Sequence, residues 1–233
     1  MIYGKGLIAK SFSKYKKNRK FIFFASGVSN SLETNFSKYN REIQLLKKVL
    51  FKKKRKQIFV YFSSCSVLDP SKKNSLYVKH KLKIENIIKN FDYYYIFRLP
   101  NVVGKTSNNF TLINNLIYKL RNNKKIVAYF GATRNIIDVK DVVSIIDLIL
   151  KIDPSKNKII NIANKYNNKI IDIISYLSTM FKSQSFIISK KYLIKSSYII
   201  NVNYIKKYIN LLNIKFHKNY YKEVLNKYYV TKN

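Results

Sequence analysis

The sequence predicts a doubly wound α/β fold, a parallel sheet covered by helices on both faces, and three observations carry that reading. Apolar runs of strand length alternate with segments of helical period almost to the C-terminus. Each parallel step in such a sheet needs a crossover, which the helical segments supply. The first apolar run also ends in a turn built from Gly4 and Gly6, although the chain has only five glycines.

Taken in order, the expected strands are Met1 to Tyr3, Phe21 to Ala25, Ile58 to Phe62, Tyr94 to Arg98 and Lys158 to Ile162. The expected helices are Gly6 to Lys16, Asn35 to Phe51, Ser75 to Asn90, Thr111 to Asn122, Val139 to Lys151 and Asn168 to Phe181. Two shorter β-like stretches, Ile126 to Tyr129 and Ile136 to Val139, interrupt the alternation and are placed beside the main sheet. After residue 182 the pattern loosens into a basic, tyrosine-rich tail with one amphipathic segment around Tyr204 to Leu212. No internal repeat or Gly/Ser linker divides the chain. The division expected is therefore a main domain over residues 1–181 and a small C-terminal lobe, the substrate side, over 182–233.

Composition narrows the class. With 233 residues, 47% hydrophobic and 15% aromatic, the chain can bury one sizeable core, which excludes a disordered class. No run reaches the ~20 apolar residues of a membrane helix, and no secretion signal is legible, so a cytoplasmic location is expected. A single cysteine, Cys65, precludes an internal disulfide. The net charge of +35 suggests an anionic partner. Lys, Asn, Ile, Tyr and Phe are all abundant, however, as an AT-rich coding sequence dictates, and the lysines are scattered. The one dense run, Lys52 to Lys56, ends a helix, where cations complement the helix field. A nucleic-acid partner is therefore not expected, although a basic nucleic-acid-binding protein stands as a third reading.

Chemistry concentrates after the third strand. Phe59 to Ser63 lead into Ser64, Cys65 and Ser66, and the next helix carries Tyr77 and Lys81. A spacing of four puts Tyr77 and Lys81 on one helical face, and Ser64 sits at a strand end, where open α/β sheets bind ligands. An ammonium near the phenol stabilises tyrosinate, and a serine hydroxyl holds a substrate oxygen. Such a set would suit an oxidoreductive unit in which Tyr77 exchanges a proton with a substrate hydroxyl while a redox cofactor exchanges the hydride at the same carbon. Spacing alone is weak support: roughly three Tyr-x-x-x-Lys matches are expected by chance. The chain holds two, the other being Tyr228 with Lys232. Position after a serine-ended strand singles out Tyr77. Cys65 reads as a packed residue and His80 as solvent-facing, and the eleven acids form no metal-ligand cluster.

Gly4-Lys5-Gly6-Leu7-Ile8-Ala9, Ala25-Ser26-Gly27, the Ser64, Tyr77 and Lys81 set, Arg98-Leu99-Pro100-Asn101 and Arg134 with Asp138 and Asp141 together resemble the NAD-dependent epimerase/dehydratase family of extended short-chain dehydrogenases. The resemblance implies a Rossmann-like domain and NAD or NADP as cofactor. It implies Ser64, Tyr77 and Lys81 as catalytic residues. Cofactor contacts are implied for Gly4, Gly6, Leu7, Ile8, Ala25, Ser26, Gly27, Tyr77, Lys81, Leu99 and Pro100. A nucleotide-linked sugar is implied as substrate, touched by Ser64, Asn101 and Arg134, in surface polysaccharide synthesis. Flanking helices often pair subunits in that family, so a homodimer is one arrangement it implies.

The chain departs from the family in two places. Only Lys17 to Lys20 separate the first helix from the second strand, where the family has a further strand, helix and strand. An acid about 20 residues beyond the glycines then holds the adenosine ribose, and that position here falls within Phe21 to Phe24. The adenosine half is expected to be abbreviated. Lys16, Lys17, Arg19 and Lys20 either complement a helix end or, as a 2′-phosphate seat, favour NADP. Cys65 and Ser66 stand where dehydratases carry an acidic pair, which favours epimerisation or ketone reduction over elimination of water. A non-catalytic nucleotide-binding sensor or scaffold of the same fold is the second reading.

Overall fold

The structure, a computed structural model, describes residues 1–153, 156–183, 187–191 and 198–230. In chain order the first half gives β1 (Ile2–Tyr3), α1 (Leu7–Ser11), β2 (Phe21–Phe24), α2 (Phe36–Phe51), β3 (Ile58–Ser64), α3 (Leu76–Lys89), β4 (Tyr94–Leu99), β5 (Asn101–Val103) and α4 (Leu112–Arg121). The second half gives β6 (Ile126–Phe130), β7 (Thr133–Asp138), α5 (Val139–Ile152), β8 (Lys158–Asn161), β9 (Asn167–Lys169), α6 (Ile170–Phe181), β10 (Ile187–Lys191), α7 (Lys206–Leu211) and α8 (Tyr220–Tyr229).

The five strands expected from the apolar runs form one parallel sheet in the order β1-β2-β3-β4-β8. Alternation along these strands divides the core. Phe21, Phe23, Ile58, Val60, Phe62, Tyr95 and Phe97 face a large cluster that α5 and α6 complete with Ile145, Ile149, Ile173 and Leu177. Ile22, Phe24, Phe59, Tyr61, Tyr94 and Ile96 face α2 and α3, meeting Leu46, Leu50, Ile84 and Ile88. Both faces are covered, which is the doubly wound α/β arrangement. Side-chain caps fix two of the site-bearing boundaries: Asn35 accepts from the Ser37 amide ahead of α2, and Ser75 from the Val78 amide ahead of α3.

The first helix is shorter than its periodicity suggests. It stops at Ser11, and Ser13–Tyr15 form a 3-10 turn. Phe12 and Tyr15 lie three apart, and such residues eclipse in a 3-10 turn, so both rings reach Phe23, at centroid distances of 5.1 and 4.7 Å. That tight turn returns the chain directly to β2.

Beside the main sheet, β5 and β7 pair in parallel with β9 antiparallel to β7, and β6 pairs with β10. Within the tail, Ile200, Val202, Ile205, Tyr208, Phe216, Tyr220, Val224 and Leu225 belong to the same large cluster as the sheet. Parts of the 182–233 segment, namely 184–186, 192–197 and 231–233, lie outside the described residues, and Lys232 with them. Among the described residues no helix is long and apolar enough to cross a membrane.

Candidate functional site

A cavity of about 620 Å³ opens where β1 to β4 end, the side on which open parallel sheets bind ligands. Gly6, Leu7 and Ile8 line it from the first turn, Ala25, Ser26 and Gly27 from the end of β2, and Ser64 from the end of β3. Tyr77 and Lys81 line it from α3, and Leu99, Pro100 and Asn101 from the junction of β4 with β5. Twelve of the residues expected at the site thus converge from four strand ends and one helix.

Ser64 has two roles. Its Oγ accepts from the Ser66 amide at 3.1 Å, capping the 3-10 turn Cys65–Leu68, which leaves the hydroxyl hydrogen to donate. Lys81, only 3% exposed, donates to Glu42 Oε1 at 3.2 Å and to the Tyr61 hydroxyl at 3.1 Å, with its Nζ 5.7 Å from the Tyr77 ring centre. An ammonium has three donors, so one remains for a ligand.

The lysine is held by a buried group that sequence reading missed. Glu42 Oε2 accepts from the Val28 amide at 2.8 Å and meets His80 Nε2 at 2.9 Å, and Oε1 also accepts from the Tyr61 hydroxyl at 3.2 Å. Burial on its own raises this carboxyl, but the Lys81 charge, His80 and the Val28 amide outweigh it and bring the value down to about 2. His80 therefore does not face solvent. It is 6% exposed and packs on the Tyr39 ring at 4.6 Å, because Tyr39 and Glu42 of α2 cover this part of α3 beside its sheet-facing stripe. The one sequence signal was a lone acid, Glu42, within a basic helix.

Two expected contacts fall elsewhere. Gly4 does not line the cavity. Its φ is +135°, and a Cβ there would stand 2.3 Å from the Ala25 carbonyl oxygen, so the glycine lets the β1 and β2 ends press together. Gly6 is the cavity-side glycine of the turn: it borders the cavity, and nothing lies within 4 Å of a Cβ there. Arg134 does not line the cavity either. Its Nη1 donates to the Thr133 carbonyl at 2.7 Å, and its charge acts on Tyr198, which does line the cavity.

Other side chains behave structurally. Arg98 forms a fork with Glu85 at 2.9 and 2.6 Å, to which Ser63 adds a bond at 2.6 Å. Cys65 is fully buried, and burial pushes its thiol well up, away from nucleophilic behaviour. Lys16, Lys17, Arg19 and Lys20 do not line the cavity, whereas Lys5 and Arg41 do. Tyr198 and Tyr229 close it from the tail, which sequence reading did not foresee. Among the described residues no Asp or Glu lines the cavity, and no cluster of three or more His, Cys, Asp or Glu could hold a metal.

The family model described as "NAD dependent epimerase/dehydratase family" matches residues 16–163, well over half of the chain. No curated protein matches. Among solved structures, a UDP-N-acetylglucosamine 4-epimerase from Methanobrevibacter ruminantium, in complex with UDP-N-acetylmuramic acid, is 19% identical with a TM-score of 0.68, over 92% of this chain and 76% of that one. A UDP-glucuronic acid 4-epimerase from Bacillus cereus, in complex with UDP-glucuronic acid and NAD, is 21% identical with a TM-score of 0.67, over 91% and 75%. RMD from Pseudomonas aeruginosa, complexed with NADPH, is 14% identical with a TM-score of 0.65, over 88% and 90%. At such identities the likeness carries the fold.

Proposed function

Because the chain belongs to the NAD dependent epimerase/dehydratase family, we propose that it is an NAD(P)-dependent epimerase or ketoreductase acting on a nucleotide-linked sugar. The observation that carries this reading is the convergence of Ser64, Tyr77 and Lys81 on one cavity at the strand ends. The structural neighbours crystallised with NAD, NADPH and UDP-sugars support the choice of ligands.

The residues present fit the nicotinamide and phosphate end of such a cofactor. Gly6 leaves open space where a side chain would stand, and Lys81 keeps one N–H for a ribose hydroxyl. When bound, the cofactor supplies hydride exchange at the sugar carbon. The chain's own residues handle the proton and the orientation. The Tyr77 hydroxyl gives a proton to, or takes one from, the oxygen on the reacting carbon. Ser64 donates to the same oxygen and fixes its direction. Lys81, anchored by Glu42 and Tyr61, holds its Nζ 5.7 Å from the Tyr77 ring centre, beside the phenol.

Elimination of water needs an acid and a base beside the reacting centre. The positions after Ser64 hold the buried Cys65 and Ser66, and no carboxylate lines the cavity among the described residues. Oxidation and reduction at one carbon, with or without inversion, is therefore the favoured chemistry.

Tyr77→Phe tests the reading. It is expected to lower turnover of a UDP-sugar by about 10²-fold or more, the range for a lost acid/base group, with unchanged circular dichroism. Retention of full activity would remove Tyr77 from the mechanism.

A further inference from the structure

A dinucleotide site in a doubly wound sheet is built on both sides of its first strand. Strands two and three flank it in the order 3-2-1-4-5-6, and an acidic residue about 20 positions past the glycines takes the adenosine ribose. Here, among the described residues, β1 pairs with β2 alone and forms the edge of the sheet. The crossover between them holds one five-residue helix and a 3-10 turn, with no strand beyond β1 among the described residues.

The consequences reach the cavity wall. Twenty positions past the glycines lies β2, whose Phe21 to Phe24 are all buried in the core. The cavity's outer rim is supplied instead by Ser29, Asn30, Ser31, the exposed Leu32, Lys5 and Arg41. No carboxylate is among them to take a ribose diol, and among the described residues no strand beyond β1 supplies a second flank for an adenine ring. The inner end, by contrast, is enclosed by Tyr77, Lys81 and Ser64, and the two rim cations suit a phosphate.

We propose that this is a half-site: the protein holds the nicotinamide, its ribose and the adjoining phosphate, and gives the adenosine no seat. Reduced nicotinamide mononucleotide is then bound about as tightly as NADH. A 2′-phosphate on the unseated adenosine goes unread, so NADH and NADPH bind alike. The inference rests on the catalytic reading above and specifies its cofactor recognition.

The test is a fluorescence titration of the full chain with reduced nicotinamide mononucleotide, NADH and NADPH, and with ADP-ribose as competitor. The expected result is three dissociation constants within about threefold, less than 1 kcal/mol apart, and no displacement of the mononucleotide by ADP-ribose. A preference of about thirtyfold or more for NADH over the mononucleotide, or competition by ADP-ribose, would overturn the half-site while leaving the catalytic reading intact. Binding of none of the three nicotinamide nucleotides by the folded protein would overturn both.

Discussion

Replacing Glu42 with glutamine tests whether the buried cluster beneath the cavity is held by charge. Its side chain is fully buried and has four partners: the Val28 amide, the Tyr61 hydroxyl, His80 and Lys81. Folding carries the carboxyl from an ordinary 4.5 to about 2, against the upward pull of burial. At about 1.36 kcal/mol per pH unit this corresponds to about 3 kcal/mol, in line with the ~3–5 kcal/mol of a broken buried ion pair. A folded value below the unfolded one contributes stability that is complete above pH 4.5 and is lost as pH falls toward 2. Glu42→Gln should therefore be less stable by about 2–3 kcal/mol at pH 7, and the gap to the parent should narrow by at least about 1 kcal/mol between pH 6 and pH 3.5. Urea unfolding followed by tyrosine fluorescence at a series of pH values measures both. A gap that stays constant with pH, or one under about 0.5 kcal/mol at pH 7, refutes the charge-based account.

The two glycines of the first turn should separate in their effects. Gly4→Ala, strained at φ +135° and driven into the Ala25 carbonyl, should lower stability by about 2 kcal/mol or more, read as a fall in Tm. Gly6→Ala should leave Tm nearly unchanged, because nothing lies near the new methyl, yet weaken NADH binding because the methyl enters the cavity. At the β4 end, Arg98→Met should cost about 3–5 kcal/mol by leaving the fully buried Glu85 carboxylate without its fork. Adding Glu85→Leu should recover most of that loss in urea unfolding; a double variant as unstable as the single one contradicts the assignment.

Legibility in the sequence followed the length and purity of each signal. The three central strands, β2, β3 and β4, could be read because they are long, mainly apolar runs, and a strand buried on both faces demands little else. Ser64, Tyr77 and Lys81 could be read because a strand end and an i, i+4 pair are local features. β5 and β9 could not, being three residues each, and β10 could not because its Ile-Ile-Ser-Lys-Lys run is apolar at only two positions. Helix α8 was hidden for another reason. Its buried Tyr220, Tyr221, Val224 and Leu225 form a helical stripe, but tyrosine and lysine are so common throughout that the stripe does not stand out.

The carboxylates are where composition and site finally connect. The chain has 11 acids against 46 Lys and Arg, so each carboxylate is a scarce means of relieving cationic repulsion. Glu42 is engaged by Lys81, Glu85 by Arg98, Asp138 by Lys227, Asp147 by Lys14 and Lys151, and Glu33 by Lys38. These acids serve the core and the surface, and none lines the cavity, whose charged lining is Lys5, Arg41 and Lys81. A cavity with that lining favours a phosphate-bearing ligand and offers no carboxylate base. On the function proposed above, the same scarcity that makes the whole chain look like a nucleic-acid binder assigns the proton chemistry to Tyr77, which lines the cavity on the helical face it shares with Lys81.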